Sequence, residues 1–189
     1  MARIAGLPRE SVSPEIQAVY DRVHTKYGKL LEPLTVAANH PEVFKAYMSY
    51  EGSFRTACRV DPKLKELAML KVAALIGCRF CIDFGSAQAK AVGITEAQMR
   101  ALHIYSESAA FSNAEKLVLD YAVAITRNPV EVADSLFTQL QGLFDSAQIV
   151  EITATIAWEN YRSRFNHALG IQSHGFADQT YCVAPERAM

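Results

Sequence analysis

The sequence predicts an all-α fold of about seven or eight helices with a helical-hairpin internal repeat. Helix-start signals recur along the whole chain, and strand signals are nearly absent. The one β-branched cluster, "IVEITATIAW", lies inside a continuous helical pattern that follows Asp145, so it reads as helix. Taken in order, Ser13-Pro14 places an N-cap before a first-turn proline and opens a helix to about Lys29. Asn39-His40-Pro41 opens the next, with Val43, Phe44, Tyr47, Met48 and Phe54 as its buried side. Asp61-Pro62 repeats the device before "KLKELAMLKVAALIG", which is apolar almost all round and so belongs in the middle of a core. Thr95 with Gln98, Ser112 with Glu115, Asn128 with Glu131 and Asp145 with Gln148 have capping-box spacing. Gly93 and Gly170 stand where left-handed C-caps belong.

The repeat rests on an offset of 85 residues, which lays Glu66 over Glu151, Arg79 over Arg164, Phe80 over Phe165 and Gly85 over Gly170. No Gly/Ser linker or change of composition divides the chain, so residues 1–175 read as one domain. The tail, 176–189, reads as irregular and available to wrap on a neighbour.

A formal net charge of −1 and no basic run with interleaved aromatics argue against nucleic acid or a membrane surface as partner. The opening "MARIAGLPRE" lacks the apolar core of a signal peptide, and no apolar run reaches membrane-spanning length. A cytoplasmic protein is expected. Half of the 189 residues are hydrophobic, which points to apolar surface buried between subunits of a homo-oligomer.

Four cysteines, Cys58, Cys78, Cys81 and Cys182, are too few and too scattered for a disulfide scaffold. Cys78 and Cys81 form a Cys-x-x-Cys in "IGCRFCIDFG". If Gly77 ends the helix begun at Pro62, both thiols fall at the start of the next one. Unpaired N–H groups and the positive dipole end there favour a thiolate. The pair reads as a redox couple, as two buried small hydrophobes, or as part of a metal site. No second Cys-x-x-Cys or His-x-x-x-His completes a metal site, so neither metal nor cofactor is expected.

Glu66 precedes Cys78 by twelve residues. On one unbroken helix it stands about 18 Å away; with a reversal near Gly77 it can face the turn holding Cys81 and Gly85. A carboxyl in so apolar a helix is desolvated, its pKa rises, and it becomes a usable proton carrier. The alternative is a surface glutamate beside Lys63 and Lys65.

Glu66, Cys78-x-x-Cys81 and the following "AKAVGIT" resemble the carboxymuconolactone decarboxylase family, in its branch related to alkylhydroperoxidase D. "MARIAGLPRE", "SPEIQAVYDRV", "HPEVFKAYMSY" and "RFNHALGI" share the likeness, which covers roughly residues 1–175. The resemblance implies an all-helical domain with a helical-hairpin repeat, assembled as a trimer or hexamer. It also implies a thiol-dependent peroxidase in which Cys81 attacks a peroxide, Cys78 resolves it as a disulfide, Glu66 moves the proton and an external dithiol resets the pair. Two rival readings are a decarboxylase-like enzyme acting on a small lactone or ring acid, and a non-catalytic oligomer that senses redox state. The peroxidase pattern carries an imidazole just before the second cysteine and another four residues after it. Here those positions hold Phe80 and Gly85.

His167 in "RFNHALG" is the candidate to supply an imidazole from another helix, while His24, His40, His103 and His174 have no spacing that recommends them. Asp83 reads as a helix-dipole partner. Trp158, Tyr161 and Phe165 read as core or subunit contact.

Overall fold

The computed structural model describes residues 2–186, with Arg55 described in its backbone alone. Among these residues there are nine α-helices and no strand: α1 Pro14–Tyr27, α2 Glu32–Ala37, α3 Pro41–Thr56, α4 Pro62–Ile76, α5 Arg79–Ala89, α6 Glu96–Ala101, α7 Asn113–Thr126, α8 Asp134–Leu143 and α9 Ser146–Ala168. The all-α expectation holds, with the six-residue α2 among the helices that raise the count. No described helix is long and apolar enough to cross a membrane.

The chain forms two compact units. One holds the residues up to Thr56 together with Leu169–Ile171. Pro14 opens its α1, and Gly28 closes it in a left-handed conformation at φ 72°. Of the side predicted to be buried on α3, Phe44 and Tyr47 are buried, and Val43, Met48 and Phe54 are half-buried. Tyr20 meets Phe44 edge-on at 6.2 Å.

The other unit holds Ala57–Ala168 and the residues from Gln172. Here α4 lies between two apolar clusters, which is why it is hydrophobic almost all round. Leu67, Leu70, Ala73 and Ala74 face one cluster, with Ile82, Met99, Leu102 and Leu119. Ala68 and Val72 face the other, with Val118, Leu140, Ile152 and Ile156. The local signals act as read. The Asp61 side chain accepts from Lys63 N–H, and full capping boxes form at Thr95 and Ser112. Asp145 and Gln148 exchange the same pair of bonds, at 2.8 and 3.0 Å.

Asn128 with Glu131 is a correction. No helix starts there; α7 ends at Thr126, and α8 begins at Asp134 behind Ala133. Residues 130–133 carry no regular structure, so Asn128 has no helix N-terminus to cap. The segment that the 85-residue offset lays over α4 and the start of α5 runs through α9 without a break, and α9 ends at Ala168. Arg162 continues the helix where Gly77 interrupts the first copy.

The tail from Gln172 packs on its own unit. Val183 N–H donates to Ser86 Oγ, Glu186 N–H to the Ala74 carbonyl, and buried Lys71 pairs with Glu186 at 2.6 Å. Val183 is itself buried in the first cluster. Residues 187–189 lie outside the described part of the chain.

Candidate thiol site at the turn between α4 and α5

The reversal predicted at Gly77 is present. Gly77 ends α4 at φ 75°, its N–H bonded to the Ala73 carbonyl, and the next residue, Cys78, caps α5. Cys78 Sγ accepts from Cys81 N–H at 3.2 Å. The two cysteines are disulfide-bonded with their Cα atoms 5.3 Å apart. Once reduced, both sulfurs sit in the field of a helix N-terminus, which stabilises a thiolate. Their access differs: Cys78 is 1% exposed, whereas Cys81 is half-buried. Cys58 and Cys182 are free and exposed.

Glu66 is not a surface partner of the flanking lysines. Lys63 pairs with Glu115 at 2.7 Å, and Lys65 pairs with Glu151 at 2.6 Å. The carboxyl of Glu66 lies instead against Gly85 of α5. A Cβ at Gly85 would come 3.1 Å from Glu66 Oε1 and 2.9 Å from Leu70 Cδ2. The space above Gly85 is thus taken by Glu66 and Leu70, leaving no room for a side chain there. Burial pushes the Glu66 carboxyl up; Arg162 pulls part of this back, Glu159 adds to the rise, and the pKa reaches about 7. The desolvation expected from the apolar helix is the main cause.

Phe80 is also accounted for by packing. It is buried, stacks with Phe84 at 6.0 Å, and meets His174 and Phe176 edge-on at 5.7 and 6.1 Å. His174, which had no spacing to recommend it, thus reaches the aromatic residue beside Cys81. The segment that carries it is held by Asp83, whose expected role as a dipole partner is corrected. Asp83 is buried and accepts backbone N–H bonds from His174, Phe176 and Ala177 at 2.8, 3.1 and 2.8 Å. Burial raises its pKa, but these donors and the Ser173 hydroxyl outweigh that and hold it below the usual carboxylate range.

His167 is exposed on α9 and does not meet the thiols. One residue earlier, a turn of about 100°, Asn166 is 2% exposed and its Nδ2 donates to Cys81 Sγ at 3.3 Å. The sequence reading missed this residue, although a signal was there. Glu159, Ser163 and Asn166 recur at i, i+4 and i+7, and all three are buried. Ser163 Oγ donates to Glu159 Oε1 at 2.8 Å, and Glu159 also pairs with Arg162. The expectation for the neighbouring aromatics shifts with this. Trp158 stacks on Tyr161, and Tyr161 on Phe165, but Tyr161 is 41% exposed, so this stripe is not core. Among the described residues no three His, Cys, Asp or Glu side chains gather as a metal site would require.

Residues 41–124 match the model of the carboxymuconolactone decarboxylase family. The Escherichia coli (strain K12) protein YnjA is 33% identical over 187 residues, covering 96% of this chain and 98% of YnjA. The crystal structure of the debrominase Bmp8 superposes with a TM-score of 0.80 at 20% identity, over 92% of each chain. An alkylhydroperoxidase AhpD core protein, a peroxidase-related protein from Ralstonia eutropha JMP134, gives a TM-score of 0.81 at 16% identity, over 93% of this chain and 94% of its own. The fold is that of the AhpD-like proteins, and the chain belongs to the carboxymuconolactone decarboxylase family.

Proposed function

We propose that this protein is a thiol-dependent peroxidase that reduces small hydroperoxides through Cys78 and Cys81. The observation that carries the reading is the pair itself, joined at the start of α5 with Cys78 buried and Cys81 half-buried. The less buried Cys81 attacks and the buried Cys78 resolves. In the first step the Cys81 thiolate attacks the terminal oxygen of ROOH. An S–O bond forms, the O–O bond breaks, and RO⁻ leaves as ROH with a proton from Glu66. With its pKa at about 7, Glu66 is about half protonated at neutral pH and serves in both directions. In the second step Cys78 displaces hydroxide from the Cys81 sulfenic acid. The disulfide forms, and water leaves with the Cys78 proton. An external dithiol then reduces the disulfide by exchange and becomes a disulfide itself. The net change is ROOH plus a dithiol to ROH, water and a disulfide. Deprotonation of the regenerated Cys81 thiol returns the proton to Glu66.

The same reading carries a homo-oligomer, with exposed Phe137, Leu143 and Val150 as apolar side chains available to its contacts. The test is steady-state consumption of a dithiol driven by cumene hydroperoxide, with a small lactone acid and 2,3,4-tribromopyrrole, which the debrominase Bmp8 holds in a crystal structure of its own, as comparison substrates. Hydroperoxide-dependent turnover that vanishes in Cys81→Ser supports the proposal. Turnover of the lactone acid that survives in a Cys78→Ser/Cys81→Ser variant would replace it with the decarboxylase-like reading. No turnover of any of the three would leave the redox-sensing reading.

A further inference from the structure

We propose that Asn166 is a catalytic residue whose side-chain N–H holds the Cys81 thiolate. The inference rests on the reading of Cys81 as the attacking thiol. Two independent observations point to it. The first is contact: Asn166 Nδ2 donates to Cys81 Sγ at 3.3 Å, from α9 to the first turn of α5. The second is the other end of the same amide. Asn166 is 2% exposed, and its Oδ1 is buried with no hydrogen-bond partner among the described residues. A buried polar atom left unpaired is destabilising, and native structures retain few of them. An asparagine kept for packing would have both ends satisfied. This one is satisfied only at the sulfur.

The donor is also matched to the step. A disulfide sulfur is a weak acceptor and a thiolate is a charged one, so the N–H···S bond strengthens on reduction. A hydrogen bond to the charged form lowers the pKa of the group that receives it. Besides Cys78 itself, the charged and titratable groups on the elements packed against α5 include Glu66 on α4, Glu159 and Arg162 on α9, Arg79 and Asp83 on α5 itself, and His174 in the tail. Several are engaged elsewhere: Arg162 pairs with Glu159, Asp83 holds the tail, and Arg79 Nη1 donates to Gln172 at 3.4 Å. The group in hydrogen-bond contact with the sulfur is a neutral amide. It stabilises the thiolate without adding a cation that would also hold a leaving anion.

The test is the pH dependence of Cys81 alkylation by iodoacetamide in the reduced protein, resolved by peptide mass spectrometry, for wild type, Asn166→Leu and Asn166→Asp. Loss of a hydrogen bond to a charged group raises the Cys81 pKa by about one unit, so the alkylation profile of Asn166→Leu moves up by about one pH unit and its rate on the acid side of the pKa falls roughly tenfold. In Asn166→Asp the added negative charge raises the pKa further. Thermal stability of Asn166→Leu is unchanged or higher, because the unpaired Oδ1 is gone. An unchanged alkylation profile in either folded variant overturns the proposal, and if it comes with a lower melting temperature it makes Asn166 a packing residue. If Asn166→Leu does not fold, the near-isosteric Asn166→Asp decides alone. The readout needs no peroxide, so a wild type without peroxide turnover sinks the proposed function and leaves this result interpretable.

Discussion

Glu66→Gln removes a carboxyl that the fold keeps protonated well above its ordinary range while preserving its shape. The magnitude follows from the pKa shift, from 4.5 to about 7. In this case the folded-state pKa lies above the unfolded one. Below pH 4.5 both states are protonated and Glu66 costs nothing. Between 4.5 and 7 the unfolded chain releases the proton and the folded one keeps it, so stability falls as pH rises. Above 7 the cost is complete. At 1.36 kcal/mol per unit, a shift of this size gives about 3 kcal/mol, and the partial exposure of the residue lowers that to roughly 2 kcal/mol. Denaturant unfolding of oxidised wild type and Glu66→Gln from pH 4 to pH 9 measures it. The variant gains little near pH 4 and about 2 kcal/mol at pH 8. An equal or negative difference across the whole range would refute the argument that Glu66 is held neutral by burial.

Two further perturbations probe the shell around the thiols. Gly85→Ala places a Cβ against Leu70 and Glu66. The helix gains about 1 kcal/mol from losing a glycine, and overpacking costs about 1–3 kcal/mol, so the melting temperature holds or falls by up to about 8 °C, while the displaced Glu66 slows peroxide reduction. A variant with full activity would show that the position of Glu66 against Gly85 does not matter. Asp83→Ala removes the acceptor for three backbone N–H groups. Amide exchange of residues 173–177 rises about ten- to a hundredfold at neutral pH, from the loss of a charge-assisted bond. Because the folded Asp83 pKa is depressed, wild type holds this segment above the unfolded pKa and loses it as pH falls through the folded value. Exchange that is the same in wild type and variant at neutral pH would contradict the clamp.

What could be read in the sequence was what is encoded within a few residues. A proline behind Ser13 or Asp61, a Ser112–Glu115 box and a glycine at 77 each satisfy or release neighbouring backbone groups, so helix starts and the reversal before Cys78 were legible. The raised Glu66 carboxyl was legible too, because the residues that desolvate it include its own helical neighbours. Partnerships between distant segments were not. Asp83 looks like a helix-dipole charge until the tail, some 91 residues on, places its N–H groups over it. Asn166 differs from His167 by one position, and only the rotation of α9 decides which of the two meets Cys81. The 85-residue offset does pair Cys81 with Asn166, yet α9 has no counterpart of the Gly77 break. Phe80 and Gly85 are departures from the peroxidase pattern that the fold explains. Phe80 belongs to an aromatic cluster with the tail, and Gly85 makes room for Glu66.

The central claim is that Cys81 is the attacking thiol and Cys78 its resolving partner. The most direct measurement is rapid-quench thiol labelling of the reduced protein after one equivalent of cumene hydroperoxide, with peptide mass spectrometry. Of the four cysteines, Cys78 and Cys81 are lost together as a disulfide while Cys58 and Cys182 remain labelled. A Cys78→Ser variant accumulates sulfenic acid on Cys81, and Cys81→Ser loses no thiol. Sulfenic acid appearing on Cys78 in Cys81→Ser, or all four thiols surviving hydroperoxide in the native protein, would contradict the account.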